Sequence, residues 1–194
     1  MSGSRAAVST GVVLAVLIGA AMLLLRGPAM AQTNPVGELK IGGLAHDIGL
    51  GDRHVEGGAD VNLELLFNSP DLLRFIGSPR PHIGGDINTS GNTSYGYFGL
   101  TWGIMLIQNL FGNGDGIFAN GSLGGALHDG NLDTAPPDRK KLGSRILFRE
   151  SLELGYQINP VVSVSVILDH ISNANLASHN AGITNAGARI GFRF

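Results

Sequence analysis

The chain has no cysteine among its 194 residues, so no disulfide holds it together; this is compatible with an oxidising compartment in which no crosslink is needed. It also lacks a charge imbalance. A formal net charge of −2, from 13 basic and 15 acidic side chains, gives no support for binding nucleic acid or another polyanion. Beyond residue 31 no apolar run is long enough to cross a bilayer as a helix, so any insertion of the mature part must be by strands closed into a barrel. Long helices are disfavoured, because 30 glycines are scattered along the chain and the prolines fall mainly between apolar segments.

The one long apolar stretch lies at the N-terminus. Arg5 precedes the uncharged residues 6–25, and Ala29-Met30-Ala31 supplies the small-x-small pattern of a signal-peptidase site. Residues 1–31 therefore read as a cleavable signal peptide, leaving 32–194 as one domain. A membrane-anchoring helix is the competing reading, since 6–25 is long enough to span; Pro28 and the Ala-x-Ala pattern favour cleavage.

What remains reads as strands. Eight candidates, at 39–47, 58–67, 80–89, 94–104, 117–128, 145–158, 161–172 and 183–194, are separated by turn-rich pieces such as Asn159-Pro160. Their alternation is clear: Val61, Leu63, Leu65 and Phe67 oppose Asn62 and Glu64, and Ala186, Ala188, Ile190, Phe192 and Phe194 oppose Arg189 and Arg193. An even count of eight is the smallest usual size of a closed antiparallel transmembrane β-barrel, and the charged face suits its lumen. A soluble barrel would place the same apolar face inside. Glu64, Arg149, Glu153, Arg189 and Arg193 form a lumenal ion network if their face is internal, and the terminal Phe194 resembles the sorting signal of outer-membrane barrels. Residues 68–79 are long for a turn, and Pro70 to Phe75 suggest a helical turn lying at the membrane interface.

The strand at 161–172 carries the chemistry. Val162, Val164, Val166 and Leu168 share one face, and His170 and Ser172 continue it. In a membrane barrel that face meets lipid. With both termini in the periplasm the two groups sit at the outer interface, where the lipid of a Gram-negative outer membrane is lipopolysaccharide. Residues two apart on a strand lie close enough for an imidazole to take a hydroxyl proton, and Asn173 with the backbone of 173–175 offers oxyanion donors.

His170-Ile171-Ser172-Asn173-Ala174-Asn175 resembles the His-x-Ser-Asn-Ala signature of the PagL family of outer-membrane lipid A 3-O-deacylases, and His46-Asp47 and Ser78-Pro79-Arg80-Pro81-His82 resemble segments of its relatives. The resemblance implies an eight-stranded barrel without a cofactor, lipid A as substrate among outer-membrane lipids, Ser172 as nucleophile and His170 as general base. Two positions depart from the pattern. Asn175 stands where the family has glycine, although asparagine tolerates left-handed backbone. Thr184 stands where the family's triad has a glutamate on the last strand, and it cannot carry that charge. Glu150, the only charge on the otherwise apolar face of the sixth strand, is expected to take over the orienting role. Counting back from Asn159-Pro160 places it opposite about Leu168, within reach of His170. Thr184 is then a secondary hydrogen-bond partner.

Blander readings stand beside these. His170 and Ser172 also suit a polar interfacial girdle, and a bulge would turn Glu150 inward. His46-Asp47, His128-Asp129 and His82 with Asp86 invite a metal, but a lumenal hydrogen-bond network accounts for them better. Gly42-Gly43 and Gly84-Gly85 read as strand-bending sites. Arg139-Lys140-Lys141 reads first as a solvated loop and second as an attractor of lipid A phosphates. Assembly as a homodimer stays open, and the competing functions are a non-catalytic structural or adhesive barrel and an outer-membrane phospholipase.

Overall fold

The computed structural model describes residues 35–194; the expected signal segment lies outside the described residues. Eight antiparallel strands close into one barrel: β1 (Val36–Ala45), β2 (Ala59–Phe67), β3 (Arg80–Asn88), β4 (Tyr95–Gln108), β5 (Gly116–His128), β6 (Ile146–Gln157), β7 (Val162–Ser172) and β8 (Ile183–Arg193). Each pairs with its neighbour in sequence, and β1 closes on β8 with Leu39 opposite Phe192 and Ala45 opposite Ala186. The short 3-10 helix Asp71–Ile76 interrupts the β2–β3 connection, as the composition of that segment suggests. Trp102 Nε1 donates to the Ile76 carbonyl at 2.8 Å, which leaves Leu72 and Phe75 exposed.

Orientation of the two faces separates a membrane barrel from a soluble one. Leu63 (51% exposed), Phe98 (60%), Leu154 (51%) and Val166 (59%) all point outward, while the charges point in. Burying apolar surface drives folding in water, so an apolar exterior of this extent requires lipid as its solvent. Inside, Arg149 pairs with Asp169 at 2.9 Å and Glu64 at 3.7 Å, and Arg189 with Glu153 at 2.8 Å and Glu64 at 3.2 Å. Buried charges persist only when paired in this way. Two members of the lumen network come from β1, which begins at Val36 rather than 39: Lys40 pairs with Glu153 at 2.6 Å, and Glu38 with Arg80 at 2.7 Å. The Arg149 guanidinium lies 3.6 Å from the centre of the Tyr97 ring. Eight strands leave an interior just wide enough for such side chains.

The lumen also explains Gly84. A Cβ there would lie 2.5 Å from the Tyr97 ring, so the glycine makes room for an aromatic rather than bending the strand. His82 belongs to the same interior, with Nδ1 2.9 Å from the Thr101 hydroxyl and Nε2 3.3 Å from Arg149. His128 instead reaches the Ser144 carbonyl at 2.6 Å, outside the lumen network.

Candidate active site

Strand parity sets the site. On β7, Ser163, Ser165, Ile167, Asp169 and Ile171 are buried, so His170 and Ser172, two and four residues beyond Leu168, lie on the outward face, each half-buried. They sit at the end of the barrel that carries the long connections 46–58, 129–145 and 173–182. His170 is directly opposite Thr184 on β8 and directly opposite Glu150 on β6. Glu150 thus faces His170 itself rather than Leu168. The reason is the β6–β7 loop: the Asn159 carboxamide accepts from the N–H groups of Val161 and Val162, both at 2.9 Å, holding a wider turn than Asn159-Pro160 alone.

The imidazole is held by threonine. His170 Nδ1 lies 2.7 Å from Thr184 Oγ1, and that hydroxyl donates to the Leu50 carbonyl at 2.7 Å. A hydroxyl has one proton to give. Since it goes to Leu50, Nδ1 must be the donor to Thr184, and Nε2 is left with its lone pair. A Cβ on Gly182 would lie 3.1 Å from Nε2 and 2.7 Å from Cε1, so the absence of a side chain there keeps that edge of the ring open.

The other expected residues are placed as follows. The Ser172 hydroxyl makes no hydrogen bond among the described residues, so it remains free to turn toward Nε2. Catalytic hydrogen bonds commonly tighten only when substrate arrives. Glu150 has outward parity yet is buried, and its Oε1 has no hydrogen-bond partner; it does not bond His170. Asn173 is spent on structure: Nδ2 donates to the Leu142 and His179 carbonyls at 2.8 and 2.5 Å, and its N–H to Asn180 Oδ1 at 2.8 Å. Its donors therefore do not face an oxyanion. Ala174 and Asn175 both take left-handed backbone, at φ 54° and 63°, in a turn closed by Leu176 N donating to the Asn173 carbonyl at 3.0 Å. Asparagine thus occupies at 175 the conformation that glycine favours. The N–H groups of Ala174 and Asn175 have no partner among the described residues, which makes them the open donors of this turn.

Three further contributors come from the loops, and of these the Leu50 carbonyl alone carries no residue-type signature. The Leu50 carbonyl belongs to a loop docked on β8, where Ile48 N donates to the Thr184 carbonyl at 2.7 Å. Lys140 ties the loops together: its ammonium lies 2.8 Å from Asp47, 3.5 Å from Asp52 and 2.5 Å from the Gly182 carbonyl. Beneath them His46 bonds Asp60 at 2.8 Å and Glu56 at 3.3 Å. Burial alone would lower the His46 pKa, but the two carboxylates outweigh it and hold the imidazole up at about 9. Burial would likewise raise Glu56, but the bonds from His46 and from the N–H groups of Lys140 and Thr93 hold it down at about 2. Thus His46-Asp47, which invites a metal in sequence, forms part of an ion-paired plug under the loops.

The profile of a family described as lipid A 3-O-deacylase (PagL) matches residues 57–193. Among solved structures, the crystal structure of the outer membrane enzyme PagL is similar at a TM-score of 0.59 and 17% identity, over 80% of this chain and 99% of that one, a likeness of fold. The outer membrane protein Ail of Yersinia pestis is similar at a TM-score of 0.42 and 13% identity, over 83% of this chain and 100% of that one. No curated protein matches.

Proposed function

The chain belongs to the lipid A 3-O-deacylase (PagL) family, and from that premise we propose that Ser172 and His170 remove the 3-O-linked acyl chain from lipid A of lipopolysaccharide. It is an outer-membrane enzyme and a carboxylic ester hydrolase. Residues 1–31 act as the export signal in this reading, and the long connections lie outside the cell, so the dyad meets the sugar-proximal end of the acyl chains.

In this mechanism His170 Nε2 takes the Ser172 proton as Oγ attacks the acyl carbonyl. The N–H groups of Ala174 and Asn175 receive the developing oxyanion. Collapse breaks the bond to the sugar oxygen, which leaves with the proton from Nε2. Water then repeats the sequence on the acyl-enzyme and releases the fatty acid. Thr184 orients the imidazole, and Glu150, opposite it in register on β6, is the candidate carboxyl partner of the imidazolium. The observation that carries the reading is the chain from His170 Nδ1 through Thr184 to Leu50, because it leaves the basic nitrogen unprotonated.

The test is release of hydroxy fatty acid from lipopolysaccharide in detergent by the wild type, Ser172→Ala and His170→Asn. Loss of about 10⁶-fold in each variant is expected. Equally low release from all three would favour a non-catalytic barrel, and release from glycerophospholipid instead would favour a phospholipase. Wild-type rates in Glu150→Gln would remove Glu150 from the mechanism.

A further inference from the structure

The loop end contains a second feature that the ester chemistry does not use. A cavity of about 500 Å³ opens between the connections 46–58, 129–145 and 173–182. Its lining includes Arg53, Arg139, Lys140 and Lys141, with Asp52 as the carboxylate among them. Elsewhere the barrel matches its buried cations to carboxylates, as for Arg149 and Arg189. Here Lys140 alone is matched, by Asp47 and Asp52. The Arg139 guanidinium bonds only the Gly91 carbonyl, at 2.9 Å, and neither Arg53 nor Lys141 forms an ion pair among the described residues, although Lys141 lies within the field of Asp133. Asp133, on the rim, is taken by Ser178 at 2.9 Å and His179 at 3.2 Å. In a chain with net charge −2, this is a local surplus of positive charge around a concave space.

The cavity also shares a wall with the catalytic centre. Ala181 lines it and donates its N–H to the Lys141 carbonyl at 3.1 Å. The next residue, Gly182, gives its carbonyl to Lys140 while its Cα faces the His170 ring. A headgroup seated in the cavity would therefore lie beside the dyad, on the water side. Guanidinium groups bind phosphate through paired hydrogen bonds, with an ammonium adding point charge.

We propose that Arg53, Arg139 and Lys141 form a phosphate-binding subsite that seats a phosphate monoester on the sugar headgroup of the substrate lipid. The proposal rests on the lipid A deacylase reading and assigns to this cavity the positioning of the headgroup during that reaction.

The experiment compares lipid A with the same lipid A stripped of phosphate by a phosphatase, using the full-length protein in detergent micelles. For the wild type, dephosphorylation should raise KM roughly tenfold and change kcat little, as expected for lost charge-assisted bonds. Arg53→Gln with Lys141→Gln should raise KM on the phosphorylated lipid by a similar factor. Removing both the cations and the phosphate should cost no more than removing either. Equal wild-type KM for the two lipids, or penalties that multiply, would overturn the subsite. Inorganic phosphate separates the sources: weak competition in the millimolar range accords with a headgroup site, whereas tight protection by free phosphate with no preference between lipids would overturn it. Binding of both lipids to Ser172→Ala, read by sedimentation, keeps the subsite testable without turnover. A wild type that hydrolyses neither lipid yet binds the phosphorylated one more tightly would defeat the enzymatic reading and retain the phosphate site.

Discussion

At the scale of residues, the shared outward face of His170 and Ser172 was readable because strand parity is a strict rule: a hydroxyl and an imidazole that continue a valine stripe must leave by the same face. The group that holds the imidazole was less readable. Thr184 looks like a loss when compared with a carboxylate, and only the Leu50 carbonyl behind it fixes the direction of its hydrogen bond. A backbone carbonyl in a loop leaves no mark in residue type. Thr184→Val, which keeps the shape and removes the acceptor, should lower kcat about 10–100-fold, the cost of an unsatisfied polar contact at the imidazole. Thr184→Ser should restore most of it. The comparison of kcat in the two variants, with KM followed alongside, checks this; equal rates in Thr184→Val and wild type would exclude threonine as the orienting group.

At the scale of elements, strand limits were legible to within a few residues, whereas pairing across turns was not. The Asn159 carboxamide widens the β6–β7 loop and moves Glu150 from opposite Leu168 to opposite His170, a shift that no count of apolar positions reveals. The long connections behave as one element because His46, Glu56 and Lys140 tie them together. Raised to about 9, the His46 pKa contributes stability fully present below 6.5 and lost as pH rises through 9. The depressed Glu56 contributes stability present above 4.5 and lost as pH falls through about 2. The loops should accordingly be tightest between pH 4.5 and 6.5. Hydrogen-exchange protection factors at Lys140 and Thr93, whose amides bond Glu56, should decline from pH 6.5 to 9, and His46→Gln should flatten that decline. Protection that is constant in the wild type over this range would contradict the assignment.

At the scale of the whole molecule, the barrel was legible from alternation, but the side that faces solvent was not, because a soluble barrel has the same period. The placement of charge on the opposite face decided it. Lys40, Glu64, Glu153 and Arg189 are partners only if they converge, and the lumen is where they meet. An apolar exterior has a depth-dependent intolerance of charge. Val166→Arg, mid-strand on β7, should cost about 2–4 kcal/mol of stability in a bilayer, whereas Val161→Arg at the rim should cost roughly 0–1 kcal/mol. Urea unfolding in lipid vesicles, followed through the single tryptophan Trp102, would measure both. Equal costs would mean that these positions do not differ in depth.

The contact between Leu50 and Thr184 joins a loop that follows the first strand to the opening residues of the last one. These parts of the polypeptide are synthesised far apart and come together only when the sheet's two free edges meet. An incompletely zipped cylinder therefore presents an imidazole whose proton is not assigned to either nitrogen. Under the proposed mechanism, hydrolysis therefore waits on the final seam.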